Sequence, residues 1–182
     1  MVTGRASALL IIDVQIGLVD GLPAYRGPEV IATIGSLMAK ARGCGAPVLF
    51  VQHDGAPGHR LEPQTAGWPI YPAIAPQTDE VVIRKRACDA FYATSLESEL
   101  RRRGIGHVVV VGCMTEYCID TTCRRAVTLG YGVTLVADGH TTADTETLSA
   151  AQIIEHHNGL LDGFAAGEHA ISVRPADELL LC

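Results

Sequence analysis

The stretch His107-Val108-Val109-Val110-Val111-Gly112-Cys113-Met114-Thr115-Glu116-Tyr117-Cys118 decides how this chain is read. Four of its first five residues are valine, apolar and β-branched, the signature of a strand buried on both faces, as strands in parallel sheets are. A helical pattern follows from about Thr115 to Leu129, with Gly130 as its C-terminal stop. Cys118 therefore falls at or near the start of a helix, just past a strand's C-terminal end. Free N–H groups and partial positive charge at a helix start favour a thiolate over a thiol. The same N–H groups can hold an oxyanion. The plain alternative for such a residue is a small buried hydrophobe.

Outward from this stretch, apolar runs alternate with amphipathic helices, the pattern of an α/β protein. Strands are expected at 8–14, 47–51, 80–83, 107–111, 133–137 and, more weakly, 170–173. Val30, Ile34, Leu37, Met38 and Ala41 mark one helix face, with Pro28 near its start and Gly43 after its end. Thr94-Ser95-Leu96-Glu97 has the form of a capping box, opening a helix that stops at Gly104. A further helix is expected over about 145–161. Residues 53–79 are rich in Gly and Pro, hold the single Trp, and read as a functional loop.

A chain of 182 residues is read as one domain, 1–182, and 48% apolar content is ample for its core. A net charge of -6 argues against nucleic-acid binding. No apolar run approaches a membrane span, and none at the N-terminus has signal-peptide design. The six cysteines, 44, 88, 113, 118, 123 and 182, are irregularly spaced and suggest a reducing cytoplasm, not a disulfide scaffold. Cys118 and Cys123 diverge by about 140° on a helix, so zinc is not expected between them.

In open parallel sheets, sites form beyond the C-terminal ends of the strands. Asp13, Lys85 and Cys118 all fall there. A lysine beside a thiol favours thiolate, and a carboxylate can take the thiol proton and pass it to a leaving group. Singly, each has a bland reading: Asp13 as a loop cap, Lys85 as a solvated strand end.

Asp13-Val14-Gln15, Lys85 and the 112–118 segment together resemble the signatures of the isochorismatase-like cysteine hydrolases, a superfamily that includes nicotinamidase and N-carbamoylsarcosine amidohydrolase. The match continues in order through Asp89-Ala90-Phe91, Thr94, Leu96, Leu100, Thr121-Thr122, Arg125-Ala126, Gly130-Tyr131 and Asp138. The resemblance implies a three-layer α/β/α fold with a six-stranded parallel sheet in the order 3-2-1-4-5-6. It implies a triad of Asp13, Lys85 and Cys118, and a cis peptide before Met114. It also implies an oxyanion hole from the backbone N–H groups of Met114 and Cys118. The expected chemistry is cleavage of a C–N bond in a small amide, carbamoyl or lactam compound through a thioester, without a cofactor. Family members are commonly oligomers, so a dimer or tetramer is expected, with residues 53–79 near the interface.

Two departures narrow the reading. Isochorismatase itself lacks a cysteine at the nucleophile position, so Cys118 argues against vinyl-ether hydrolysis. Nicotinamidases carry an Asp-x-His metal motif after strand two; Gln52-His53-Asp54 stands there instead, so no metal is expected. Gln15, His53, Trp68, Phe91 and Tyr117 are candidate substrate contacts. Two other classes stay open: a thiol redox sensor using Cys118 with Cys113 or Cys123, and a nucleotide- or flavin-binding module. The latter needs a Gly-rich phosphate loop that residues 13–18 do not supply.

Overall fold

The apolar runs form the strands of one twisted sheet, and their alternate side chains supply two cores, one on each face. In this computed structural model, which describes residues 6–21, 24–179 and 181, the strands are β1 Ala6–Ile12, β2 Val48–His53, β3 Val81–Lys85, β4 Ile105–Cys113, β5 Gly132–Thr141, β6 Ala165–Ala166 and β7 His169–Arg174. The helices are α1 Ile16–Val19, α2 Gly27–Cys44, α3 Leu96–Arg102, α4 Asp120–Thr128 and α5 Ala150–Leu161. Cys182 lies outside the described residues.

The sheet order is β3-β2-β1-β4-β5-β7-β6. Every pairing is parallel except the last, β6 with β7. The expected order is therefore present, with β7 as the sixth strand. The additional β6 is two residues folded back through Gly167, at φ 61°, so that Ala166 pairs with His169. Two residues carry no readable period, which is why sequence pattern does not show it.

Leu9 and Ile11 of β1 face α2, where Ile34, Leu37, Met38 and Ala41 meet them with Phe50 and Val109. Ala8, Leu10 and Ile12 face the opposite way, onto Leu96, Leu100, Ile119, Cys123 and Ala126. Helices thus cover both faces of the sheet, as parallel strands require. Among the described residues no helix is long and apolar enough to cross a membrane.

Several boundaries differ from the sequence expectation for local reasons. β1 stops at Ile12, because Asp13 turns into the left-handed region at φ 51° while its N–H still bonds Val51 O. α2 runs past Gly43 to a left-handed cap at Gly45. Thr94 does not cap α3: its hydroxyl donates to Ala90 O and accepts from Leu96 N, and Ser95 is the cap residue. The helix expected from 145 starts at Ala150, where Ser149 and Gln152 make a reciprocal capping box. β5 extends beyond Ala137 to Thr141, with a register break that sets His140 opposite Gly112.

Residues 53–79 are a folded loop pinned to the end of β1. Ile70 bridges Gln15, Tyr71 N donates to Val14 O, and Gly17 N donates to Gly67 O. A Cβ on Gly67 would sit 2.4 Å from Arg60 O, so this approach requires glycine.

Candidate active site

β1 lies between β2 and β4, so the C-terminal ends of β1, β2, β3 and the turn after β4 gather at one edge. Four side chains converge there. Lys85 Nζ lies 2.6 Å from Asp13 Oδ2, 3.1 Å from Cys118 Sγ, 2.8 Å from Ala87 O and 3.3 Å from His53 Nδ1. Asp13 and Lys85 are buried at 0% and 2% exposure, and Cys118 at 8%. The ammonium, with three protons, is the hub of the cluster. Asp13 is buried with Oδ2 against the Lys85 ammonium, and its carboxylate also faces the Cys118 thiol.

Burial raises the Asp13 pKa, against the pull of Lys85. Burial also disfavours the Lys85 charge, but Asp13 and Cys118 outweigh it and hold the ammonium above the ordinary lysine range. Burial, then Asp13, pushes the Cys118 thiol up, and Lys85 only partly opposes this. Burial thus works against the thiolate that a helix start favours. Cys118 lies in a π-helical turn, Thr115–Ile119, ahead of α4 and beside the Asp13–Lys85 ion pair. The Asp13 carboxylate and the Cys118 sulfur titrate as a linked pair against the ammonium, with the thiol proton between them. Moving that proton from sulfur to Asp13 shifts the charge between two groups that Lys85 already touches.

The Cys113–Met114 peptide is cis, as the resemblance implies. Met114 N–H donates to no backbone acceptor among the described residues, so it is free for an incoming oxygen. Gly112 precedes this turn at φ 131°, and a Cβ there would meet Ile12 O at 2.0 Å. Only glycine lets β4 pass β1 at this point.

The expected substrate contacts divide. His53 ends β2, pairs in register with Lys85, and joins the hub through Nδ1. It also lines a cavity of about 770 Å3 with Asp54, Pro57, His59, Glu62 and Arg86. Gln15 is fully engaged: Oε1 accepts from His53 N, and Nε2 donates to His53 O and Trp68 O. Both amide protons being used, Gln15 holds His53 and the loop in place and has no donor to offer a substrate. Trp68 is a loop anchor; its Nε1 donates to Asp54 Oδ1 and Arg84 lies over its ring at 4.5 Å. Phe91 is buried in the core against Tyr131, ring centroids 5.9 Å apart. Tyr117 is 53% exposed next to the nucleophile and is not among the residues lining the cavity.

One buried group escapes the sequence reading. His140 Nδ1 lies 2.8 Å from Thr115 Oγ1, and Nε2 lies 2.9 Å from Asn158 Oδ1. Asn158 Nδ2 donates to Ala137 O, so its Oδ1 must face His140 and accept from Nε2–H. His140 Nδ1 is therefore the acceptor, and the Thr115 hydroxyl donates to it. This relay ties the first residue of the nucleophile turn to β5 and α5. Burial lowers the His140 pKa to about 4, so the ring is neutral. The signal for it was its place in the polar run at the C-terminal end of β5.

Asp13, His53 and Cys118 offer ligand atoms within 4.8 Å of one another, a set able to hold a metal ion. The Lys85 ammonium already contacts all three, so a tethered cation takes the position a metal would need. Of the residues at the expected metal motif, Gln52 is bound to Trp68 O, and Asp54 Oδ1 pairs with Arg84 at 2.6 Å.

This architecture has clear relatives. A streptothricin hydrolase from Streptomyces noursei is 38% identical over 138 residues, covering 75% of this chain and 50% of that protein. The chain thus spans about half the length of the streptothricin hydrolases it matches. The maleamate amidohydrolase of Pseudomonas putida KT2440 is 33% identical over 154 residues, 74% of this chain and 72% of that protein. Among solved structures, an isochorismatase from Pseudomonas putida KT2440 superposes with a TM-score of 0.86 at 31% identity, covering 97% of this chain and 91% of the other. The N-carbamoylsarcosine amidase of Thermoplasma acidophilum shares the fold, with a TM-score of 0.80 at 21% identity over 96% of this chain and 98% of the other. The isochorismatase domain profile matches residues 7–158, and the chain belongs to the isochorismatase family.

Proposed function

We propose that this protein is a cysteine-dependent hydrolase that cleaves a C–N bond in a small amide, carbamoyl or lactam compound through a thioester. The observation that carries this reading is the Lys85 ammonium in contact with both Asp13 and Cys118 inside a buried site. The names of relatives, a streptothricin hydrolase and a maleamate amidohydrolase, support the bond class.

Cys118 Sγ attacks the carbonyl carbon while its proton passes to Asp13. The oxyanion is received by the backbone N–H groups of Met114 and Cys118. The C–N bond breaks as Asp13 returns the proton to the leaving nitrogen, giving a neutral amine or ammonia and a thioester. Water then attacks the thioester with Asp13 as base, releasing the acid and restoring the thiol. Throughout, Lys85 stays charged and stabilises whichever partner carries the negative charge. The reaction needs no cofactor in this scheme. We further propose a homo-oligomer of at least two copies, to be tested by light scattering; a monomer at tens of micromolar refutes the assembly and leaves the chemistry standing.

Ammonia or amine release from a panel of small amides, ureas and lactams tests the activity. The reading expects turnover of at least one compound that disappears in Cys118→Ala. Turnover retained by Cys118→Ala rejects Cys118 as nucleophile, and no turnover across the panel rejects the substrate class.

A further inference from the structure

The turn that carries Cys118 departs from the α-helix at the nucleophile's own N–H. In an α-helix that N–H donates to the carbonyl four residues back, which is Met114 O. Here Met114 O accepts instead from Tyr117 N and from Ile119 N, each at 3.2 Å, so both of its lone pairs are taken. Thr115–Ile119 is π-helical as a result, and Cys118 N–H is left without its α-helical acceptor. Such turns are rare, because the α form packs its hydrogen bonds better. The next residue, Asp120, already begins α4, so the turn needs a restraint that keeps it from tightening into that helix.

The extension of β5 supplies the restraint. Past Ala137 the strand runs on beside β4, with His140 opposite Gly112 and Thr141 opposite Cys113. Its side chains alternate. The Thr115 hydroxyl donates to His140 Nδ1 at 2.8 Å, and two residues on, the Thr142 hydroxyl donates to Glu116 Oε1 at 2.9 Å. Thr141 between them turns the other way and donates to Tyr25 O. The first two residues of the π-turn are thus each tied to β5. The Thr115 tie is the deeper one, with Thr115 and His140 both buried. Its far end is fixed on α5, where Asn158 Oδ1 accepts from His140 Nε2 and Asn158 Nδ2 donates to Ala137 O. With its one donor and one acceptor both used, the imidazole cannot turn without losing a bond.

We propose that His140 and Asn158 are positioning residues of the reaction: through the Thr115 hydroxyl they hold the Thr115–Ile119 turn in the π form that presents Cys118 N–H to the oxyanion. This rests on the hydrolase reading above and adds to it residues that touch neither the substrate nor the sulfur. No proton moves along the relay; it acts on geometry alone.

Thr115→Val removes the hydroxyl at nearly constant shape, and Thr115→Ser keeps it. Loss of one oxyanion donor costs about 10²–10³ in kcat, so a donor displaced but not removed should cost at least about tenfold. In Thr115→Val, kcat on a hydrolysed amide should fall by that factor with KM unchanged, and Thr115→Ser should recover most of it. Alkylation of Cys118 by iodoacetamide forms no oxyanion, so its rate, read by peptide mapping, should match wild type. Asn158→Ala frees the far end of the relay and should show the same split, so the proposal does not depend on one variant folding. An undiminished kcat overturns it, and so does an alkylation rate that falls in step with kcat, the mark of a merely structural role. If no amide is turned over, the hydrolase reading fails separately, and butyraldehyde decides the relay. Cys118 Sγ bonds to the aldehyde carbon as the thiol proton passes to the aldehyde oxygen, giving a hemithioacetal whose oxygen is held by the same N–H groups. Butyraldehyde should protect Cys118 from iodoacetamide in wild type, and about tenfold more should be needed in Thr115→Val. Equal protection in the two, or none in wild type, overturns the proposal.

Discussion

His140 makes stability depend on pH in a calculable way. Its ring is 1% exposed, wedged between Thr115 and Asn158, and its pKa falls from 6.5 to about 4, chiefly through burial, with a smaller push from His157. The Asn158 bond and Asp138 act in the opposite sense. Between pH 4 and 6.5 the unfolded chain therefore binds a proton at this site that the folded chain refuses. Stability from this group is complete above pH 6.5 and drains away as pH falls toward 4, for a total of about 3 kcal/mol. From pH 8 to pH 5 the loss is about 2 kcal/mol by the same linkage. Gln at position 140 keeps one donor and one acceptor but does not titrate. Urea unfolding of wild type and His140→Gln at pH 8, 7, 6 and 5 isolates the contribution, because His53 and the paired carboxylates are common to both. The wild-type curve should lose about 2 kcal/mol more than the variant over that range. Parallel curves would refute the neutral, buried relay, as would a variant that loses more than wild type.

The other predictions concern the hub and its scaffold. Asp13→Asn keeps the shape but cannot take the thiol proton, so kcat should fall by about 10²–10⁴, measured as ammonia release under saturating amide; an undiminished rate removes Asp13 from proton transfer. Lys85→Met leaves Asp13 buried without its cation, which should cost about 3–5 kcal/mol in urea unfolding. It should also slow iodoacetamide labelling of Cys118 at pH 8, because the cation that opposes the rise in thiol pKa is gone. That labelling belongs in a Cys88→Ser background, since Cys88 is a free and more accessible thiol. Gly112→Ala drives a Cβ to 2.0 Å from the backbone of Ile12, so the strands carrying Asp13 and the nucleophile turn must separate; a urea midpoint equal to wild type would show that β4 has room there.

Much of this was legible in the sequence because it follows from period and punctuation. Continuous apolar runs gave five central strands, and the C-terminal-end rule brought Asp13, Lys85 and Cys118 together. What stayed hidden depended on partners far away in sequence. The rise in the Cys118 pKa comes from burial and from Asp13, neither of which a helix-start argument contains. Gln15 looked like a substrate contact because it shares a side with Asp13, but its amide is spent on His53 and Trp68, 38 and 53 residues away. Phe91 and Trp68 are candidate substrate contacts by sequence, Trp68 equally a loop anchor; Phe91 packs into the core on Tyr131, and Trp68 anchors the loop through Asp54. The apolar run of β5 ends at Ala137, and only the register break opposite Gly112 carries the strand on to His140, beyond the reach of sequence pattern.

The central claim is that Cys118 becomes acylated during turnover. Acid quenching of the enzyme within one turnover of a hydrolysed amide, followed by peptide mass spectrometry, tests it most directly. The account predicts an acyl mass increment on the peptide holding Cys118, absent in Cys118→Ala and enriched when water attack is slowed at low pH. An increment on Cys88, Cys113 or Cys123 instead, or turnover with no acylated peptide and unimpaired Cys118→Ala, would contradict it.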